Sequence, residues 1–137
     1  MKSTIDVATL AATATYRDGL LSILEAGIDN VTVDQFPFTW APTLVIRVFF
    51  ENEELGVPHT IHARVRFEDD EPVADIGWTV TPERGPSADM RLPYSFVVIH
   101  ALPVQLLRAG VYRFAVSLDT EQERELRVSA AARLPSS

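Results

Sequence analysis

Apolar and polar residues alternate with a period of two in two long stretches of the chain. In the first, Ile61, Ala63, Val65 and Phe67 alternate with His62, Arg64, Arg66 and Glu68. Past a turn at residues 69–72, Ala74, Ile76, Trp78 and Val80 alternate with Asp75, Gly77, Thr79 and Thr81. In the second, Tyr112, Phe114, Val116 and Leu118 oppose Arg113, Ala115, Ser117 and Asp119. A polar turn at residues 119–122 leads to Leu126, Val128 and Ala130, set against Glu125, Arg127 and Ser129. This period marks strands with one buried face. Each stretch therefore reads as a β-hairpin with one dry side. Such a hairpin is not stable alone in water, so a second sheet must cover it.

The remaining segments supply that sheet. Residues 5–15 are rich in Val, Thr and Ala and read as a strand, because Asp18-Gly19 follows between two apolar runs. Asp-Gly suits a tight hairpin turn with positive φ. Residues 20–28 form the returning strand, with Gly27 at a bulge or close backbone contact. Residues 31–33 continue it. Residues 35–42, QFPFTWAP, form an aromatic loop bracketed by proline. Thr43–Phe50, TLVIRVFF, is apolar on both faces, so it lies in the middle of a sheet or faces a partner. Residues 51–56 form an acidic loop, and residues 82–91 a loop of Pro, Gly and Ser. Residues 92–101 form a strong strand. Residues 102–109 contain Pro103 and read as a connection or a short edge segment.

The sum is eight or nine strands, with turn signals every eight to twelve residues and no convincing helix. The expected fold is all-β: an antiparallel two-sheet β-sandwich of immunoglobulin-like architecture, over one domain spanning residues 1–137. A small closed barrel is the alternative.

Composition narrows the functional classes. Hydrophobic residues are 47% and charged residues 23%, an ordinary globular balance. The absence of cysteine excludes disulfides, thiolate chemistry and Cys-ligated metal. A net charge of −7 disfavours nucleic acid and anionic membrane as partners. Eleven of the twelve basic residues are Arg, a bias expected of a GC-rich bacterial genome. No run of Lys or Arg marks a basic patch. Neither a secretory signal nor a segment long enough to span a bilayer is apparent, which places the protein in the cytoplasm by default.

Two motifs resemble an uncharacterised bacterial β-sandwich domain family. The segment from Asp18-Gly19-Leu20-Leu21 to Ala26-Gly27-Ile28-Asp29 is similar to a D-G-K-L-x-h-h-G-x-G-I pattern near the start of that family. Gly110-Val111-Tyr112-Arg113-Phe114 is similar to its P-G-x-Y-x-F pattern near the end. Here Leu21 stands for the usual Lys, Glu25 for a Gly and Ala109 for a Pro. The resemblance implies a sandwich and no established activity, so no catalytic residues carry over.

The residues offer little reactive chemistry. His59 and His62 are three apart, which puts them on opposite faces of a strand and makes a poor chelate. His100 falls on the side of Phe96 and Val98. Acidic clusters at Glu51/Glu53/Glu54, Glu68/Asp69/Asp70/Glu71 and Asp119/Glu121/Glu123 raise calcium binding. The first two lie at opposite ends of one strand, and EF-hand spacing is missing. No nucleophile elbow, phosphate loop or metal-protease motif occurs. The expectation is therefore a protein that is not an enzyme and that has neither a metal site nor a cofactor.

Phe36, Phe38 and Trp40 are the strongest functional hint. They either close one end of the core or anchor a protein partner together with Phe49 on the adjoining two-faced strand. The first expectation is a protein-interaction or assembly module, a possible homodimer, that uses this region or an unpaired edge strand. The alternative is a small-ligand-binding sandwich in which Arg84 and Arg91 clamp a carboxylate between loops 35–42 and 82–91. A hydrolase hidden in the fold is third; it requires a His within reach of a Ser or Thr and of a carboxylate.

Overall fold

The alternating stretches become strands throughout. A computed structural model describes residues 3–68, 71–83 and 94–134. Among these residues the chain forms twelve strands: β1 (Ser3–Ala11), β2 (Thr13–Arg17), β3 (Leu20–Leu24), β4 (Asn30–Val33), β5 (Phe38–Trp40), β6 (Thr43–Phe50), β7 (His59–Phe67), β8 (Glu71–Val80), β9 (Tyr94–Ala101), β10 (Val104–Leu106), β11 (Gly110–Leu118) and β12 (Gln122–Ala132). A 3-10 turn lies at Asn52–Glu54, and among the described residues no helix is long and apolar enough to cross a membrane.

Four sheets result, in the orders β1-β6-β9, β4-β12-β11-β7-β8, β2-β3 and β10-β5. The first two enclose a common core. Ile5, Leu10, Leu44, Ile46, Val48, Phe50 and Val98 come from the three-stranded sheet, and Ile61, Ala63, Val65, Tyr112, Phe114, Val116 and Val128 from the five-stranded one. Apart from Ile5 and Leu10, these are residues that the alternation places together on one face of their strands. β6 is the middle strand of its sheet, as its two apolar faces require. On its outer face Val45 is buried; β2 comes close to both β6 and β9. Phe49 is half-buried on that face.

Three expectations need correction. The strand count among the described residues is twelve rather than eight or nine. A bend at Ala12 divides residues 5–15 into β1 and β2, and two three-residue strands pair with each other: β5, in a segment read as a loop, and β10, in one read as a connection or a short edge segment. The returning strand after Asp18-Gly19 stops at Leu24, because Glu25 and Gly27 take φ of 56° and 73°, outside the extended region. Finally, the sheets are not wholly antiparallel, since β4 pairs with β12 in parallel. After β3 the chain runs beside β1, where Ile28 N–H donates to Leu10 O, and then passes to the other sheet, where Ser129 N–H donates to Asp29 O. Arriving along β1's flank, it meets β12 in β12's own direction.

Candidate functional site

The aromatic candidates divide between core and surface. Phe36 and Trp40 are half-buried against the core, and Trp40 meets Phe114 edge-on at 6.2 Å between ring centroids. Phe38, at the end of β5, is 42% exposed. Phe49 lies on the outer face of β6 under the Arg47 guanidinium, 5.3 Å from the ring centroid, and Arg47 is itself held by Asp6 through Nε at 2.8 Å. Arg84 and Arg91 lie outside the described residues.

The histidines behave as an odd offset demands. His59 points inward and is 5% exposed; His62 points outward. His59 Nδ1 is 2.8 Å from Asp119 Oδ2, and its ring packs on Phe50 at 4.7 Å. Asp119 adopts φ 53°, and its Oδ1 accepts the N–H of Thr60 at 2.8 Å. Glu54, from the 3-10 turn, brings Oε2 within 3.3 Å of His59 Nε2, an ion-pair distance without hydrogen-bond alignment. Two acidic segments distant in sequence thus converge on one buried imidazole. No spacing rule predicts this, because the meeting depends on how the loop 51–56 folds back over the end of β7. His62 Nε2 contacts Asp75 Oδ1, and neither ring is hydrogen-bonded to a Ser or Thr hydroxyl among the described residues. Among those residues no group of three or more His, Asp or Glu is placed to hold a metal ion.

The two flanks of the core differ. At one, β1 is fastened to β12 by side chains. Gln122 Oε1 accepts Ile5 N–H at 3.0 Å, Gln122 Nε2 donates to Ser3 O, and Arg124 Nη2 donates to Ile5 O at 2.8 Å. At the other flank, β8 and β9 are, among the described residues, the end strands of their sheets. There Trp78 and His100 meet edge-on at 5.7 Å, and the inward residues Ile76, Trp78, Phe96 and His100 are only half-buried.

The outer face of the five-stranded sheet is polar and ordered by register. One row across β7, β11 and β12 reads His62, Ser117, Glu123, and the next reads Arg64, Ala115, Glu125, with Asp75 opposite Arg64 on β8. The following row is Arg66, Arg113, Arg127. A shallow hollow of about 450 Å³ opens there, lined by Glu68, Val111, Arg113 and Arg127. The three arginines are far apart in the sequence, so a search for basic runs misses them.

At the start of β11, Tyr112 is fully buried and its hydroxyl donates to Arg108 O at 2.8 Å. A cleft of about 100 Å³ lies beside it, lined in part by Phe67, Val73, Leu107 and Arg108.

A family model described as a family of unknown function, DUF6941, matches residues 6–131. No curated protein matches the chain.

Proposed function

The chain belongs to DUF6941, a family of unknown function, and from its geometry we propose a non-enzymatic module that binds a protein strand at the flank formed by β8 and β9. The architecture behind this reading is an immunoglobulin-like sandwich. The buried Tyr112, bonded through its hydroxyl to the backbone four residues upstream, supports that assignment, because the tyrosine corner of such sandwiches has this form.

The observation that carries the proposal is the contrast between the two flanks. Side chains of β12 fasten the β1 flank with three hydrogen bonds to backbone groups. Among the described residues, the β8 and β9 flank ends both sheets and leaves Ile76, Trp78 and Phe96 half-exposed between them. An end strand offers backbone N–H and C=O groups to an incoming strand, and the apolar residues behind it give that strand something to cover. Partially buried Trp is also a favoured interface anchor.

The test pairs light scattering with a pull-down, using wild type and Thr79→Lys. Thr79 is exposed on β8, and Lys on an edge strand opposes strand addition. A dimer or larger species that becomes monomeric in the variant supports self-association. A retained protein that the variant loses supports a different partner. A wild-type monomer at high concentration whose retained proteins are unchanged by Thr79→Lys overturns the reading.

A further inference from the structure

We propose that loop 51–56 is a proton-operated strap, fastened over the start of β7 while the His59 ring carries a proton on both nitrogens and released when it gives one up. The inference does not depend on what the β8 and β9 flank binds.

The imidazole stands between two carboxylates. Asp119 Oδ2 is 2.8 Å from Nδ1, and Glu54 Oε2 is 3.3 Å from Nε2. The His59 side chain is 5% exposed and that of Glu54 18%, so little water screens either contact. Among the described residues these are the charged groups at ion-pair distance from the ring, one from the turn after β11 and one from the 3-10 turn. The other neighbours are apolar: Phe50 of β6, packed on the ring, and Val80, opposite His59 on β8. A neutral imidazole has one N–H and one lone pair. If Nδ1 keeps the hydrogen and donates it to Asp119, the Nε2 lone pair faces the Glu54 carboxylate. If Nε2 keeps it, the Nδ1 lone pair faces Asp119. Each neutral form therefore leaves one repulsive contact. The imidazolium attracts both carboxylates at once.

The two carboxylates are not held equally. Asp119 Oδ1 accepts the Thr60 N–H at 2.8 Å, and the Asp119 N–H donates to Thr60 O at 2.7 Å. Asp119 is thus fixed to β7 whatever the charge of the ring, and it keeps the remaining hydrogen on Nδ1. Glu54 belongs to a turn with no buried residue. Beyond it, the Gly56 N–H donates to Pro82 O at 2.8 Å and ties the loop to the chain leaving β8. Loss of the proton on Nε2 therefore releases Glu54 rather than Asp119, and the Gly56 bond loosens with it. The fastened strap holds one more proton than the open one, so fastening is favoured towards acid and lost as pH rises.

The experiment is amide hydrogen exchange of the full chain, read as protection factors between about pH 5 and 8, where imidazoles ordinarily change charge. The protonation of the His59 ring nitrogens is followed in parallel by NMR. Protection of Gly56 is expected to fall about tenfold or more as His59 loses its proton, the scale of a contact to a charged group. Protection of Thr60, held on Asp119, is expected to change little. Glu54→Gln should remove the pH dependence at Gly56, and Glu53→Gln, exposed on the same turn, should retain it. Four results would each overturn the strap: Gly56 protection that ignores the charge of His59, a pH dependence that survives Glu54→Gln or is also lost in Glu53→Gln, one protonation state of His59 throughout the range, or equal losses at Gly56 and Thr60.

Discussion

Tyr112 is bonded to Arg108 across the corner that opens β11. Its hydroxyl donates to the Arg108 carbonyl at 2.8 Å and accepts the Arg108 N–H at 3.4 Å, while the Arg108 guanidinium lies 4.3 Å above the Phe67 ring. The Tyr112 and Phe67 rings meet at 4.7 Å. One buried phenol therefore fixes both the turn before the strand and a contact between β7 and β11. Tyr112→Phe keeps the ring and removes the donor, leaving a partly buried carbonyl short of its partner. It is expected to destabilise by about 1–3 kcal/mol. In urea unfolding the midpoint falls and the slope stays constant.

Gly110→Ala tests the same corner from the backbone. Gly110 has φ 146°, and a Cβ there would stand 2.6 Å from Phe67 Cζ and 2.8 Å from Glu68 Oε1. Phe67 is buried and cannot swing aside without opening the core. The expected cost exceeds about 1 kcal/mol, since conformation and space both oppose the methyl group. A thermal melt of Gly110→Ala at or above the wild-type midpoint would contradict this account of the corner.

How much of this was legible in the chain follows from the range of each interaction. Asp18-Gly19 is a local signal, and the turn has the expected positive φ at both residues, 53° and 76°. Thr43–Phe50 matches β6 at both ends, because its hydrophobicity on two faces has one solution in a sheet. The β5–β10 pair was not legible. Each strand is three residues long, too short for alternation to show, and each is stabilised by its partner rather than by its own pattern. The parallel β4–β12 pair depends on which flank the chain reaches after Glu25 and Gly27. The arginine row and the carboxylates at His59 are long-range products of register and loop closure. Pattern alone assigns Arg66, Arg113 and Arg127 to wet faces, which is correct, but it does not say that those faces are level with one another.

The side-chain fastening of β1 makes a prediction about local motion. Gln122 and Arg124 together serve Ile5 N–H, Ile5 O and Ser3 O at the edge of the three-stranded sheet. Gln122→Leu removes the acceptor for the Ile5 amide, although Ile5 itself is fully buried. The expected loss is about 1–2 kcal/mol. Hydrogen exchange at Ile5 should accelerate, and exchange in the centre of β11 should change only by the global loss of stability. Unchanged protection at Ile5 would mean that the fastening does not hold the edge.

His59 and Asp119 join the start of β7 to the end of β11. Asp119 makes two side-chain contacts, one to His59 Nδ1 and one to the Thr60 N–H, and its own N–H donates to Thr60 O at 2.7 Å. Asp119→Ala loses both side-chain contacts and places alanine at φ 53°, where a short polar side chain is better tolerated. The expected destabilisation is about 2–4 kcal/mol, from hydrogen bonds to a carboxylate. His59→Gln alone removes the ring contact with Phe50 as well as the bond to Asp119. The double mutant separates these effects. Residues in one hydrogen-bonded group couple by about 0.5–3 kcal/mol, and the double variant should fall short of the sum of the two single losses by an amount in that range. Strict additivity in denaturant unfolding would show that Asp119 acts through Thr60 alone, and that the imidazole is held by packing on Phe50 rather than by its carboxylate.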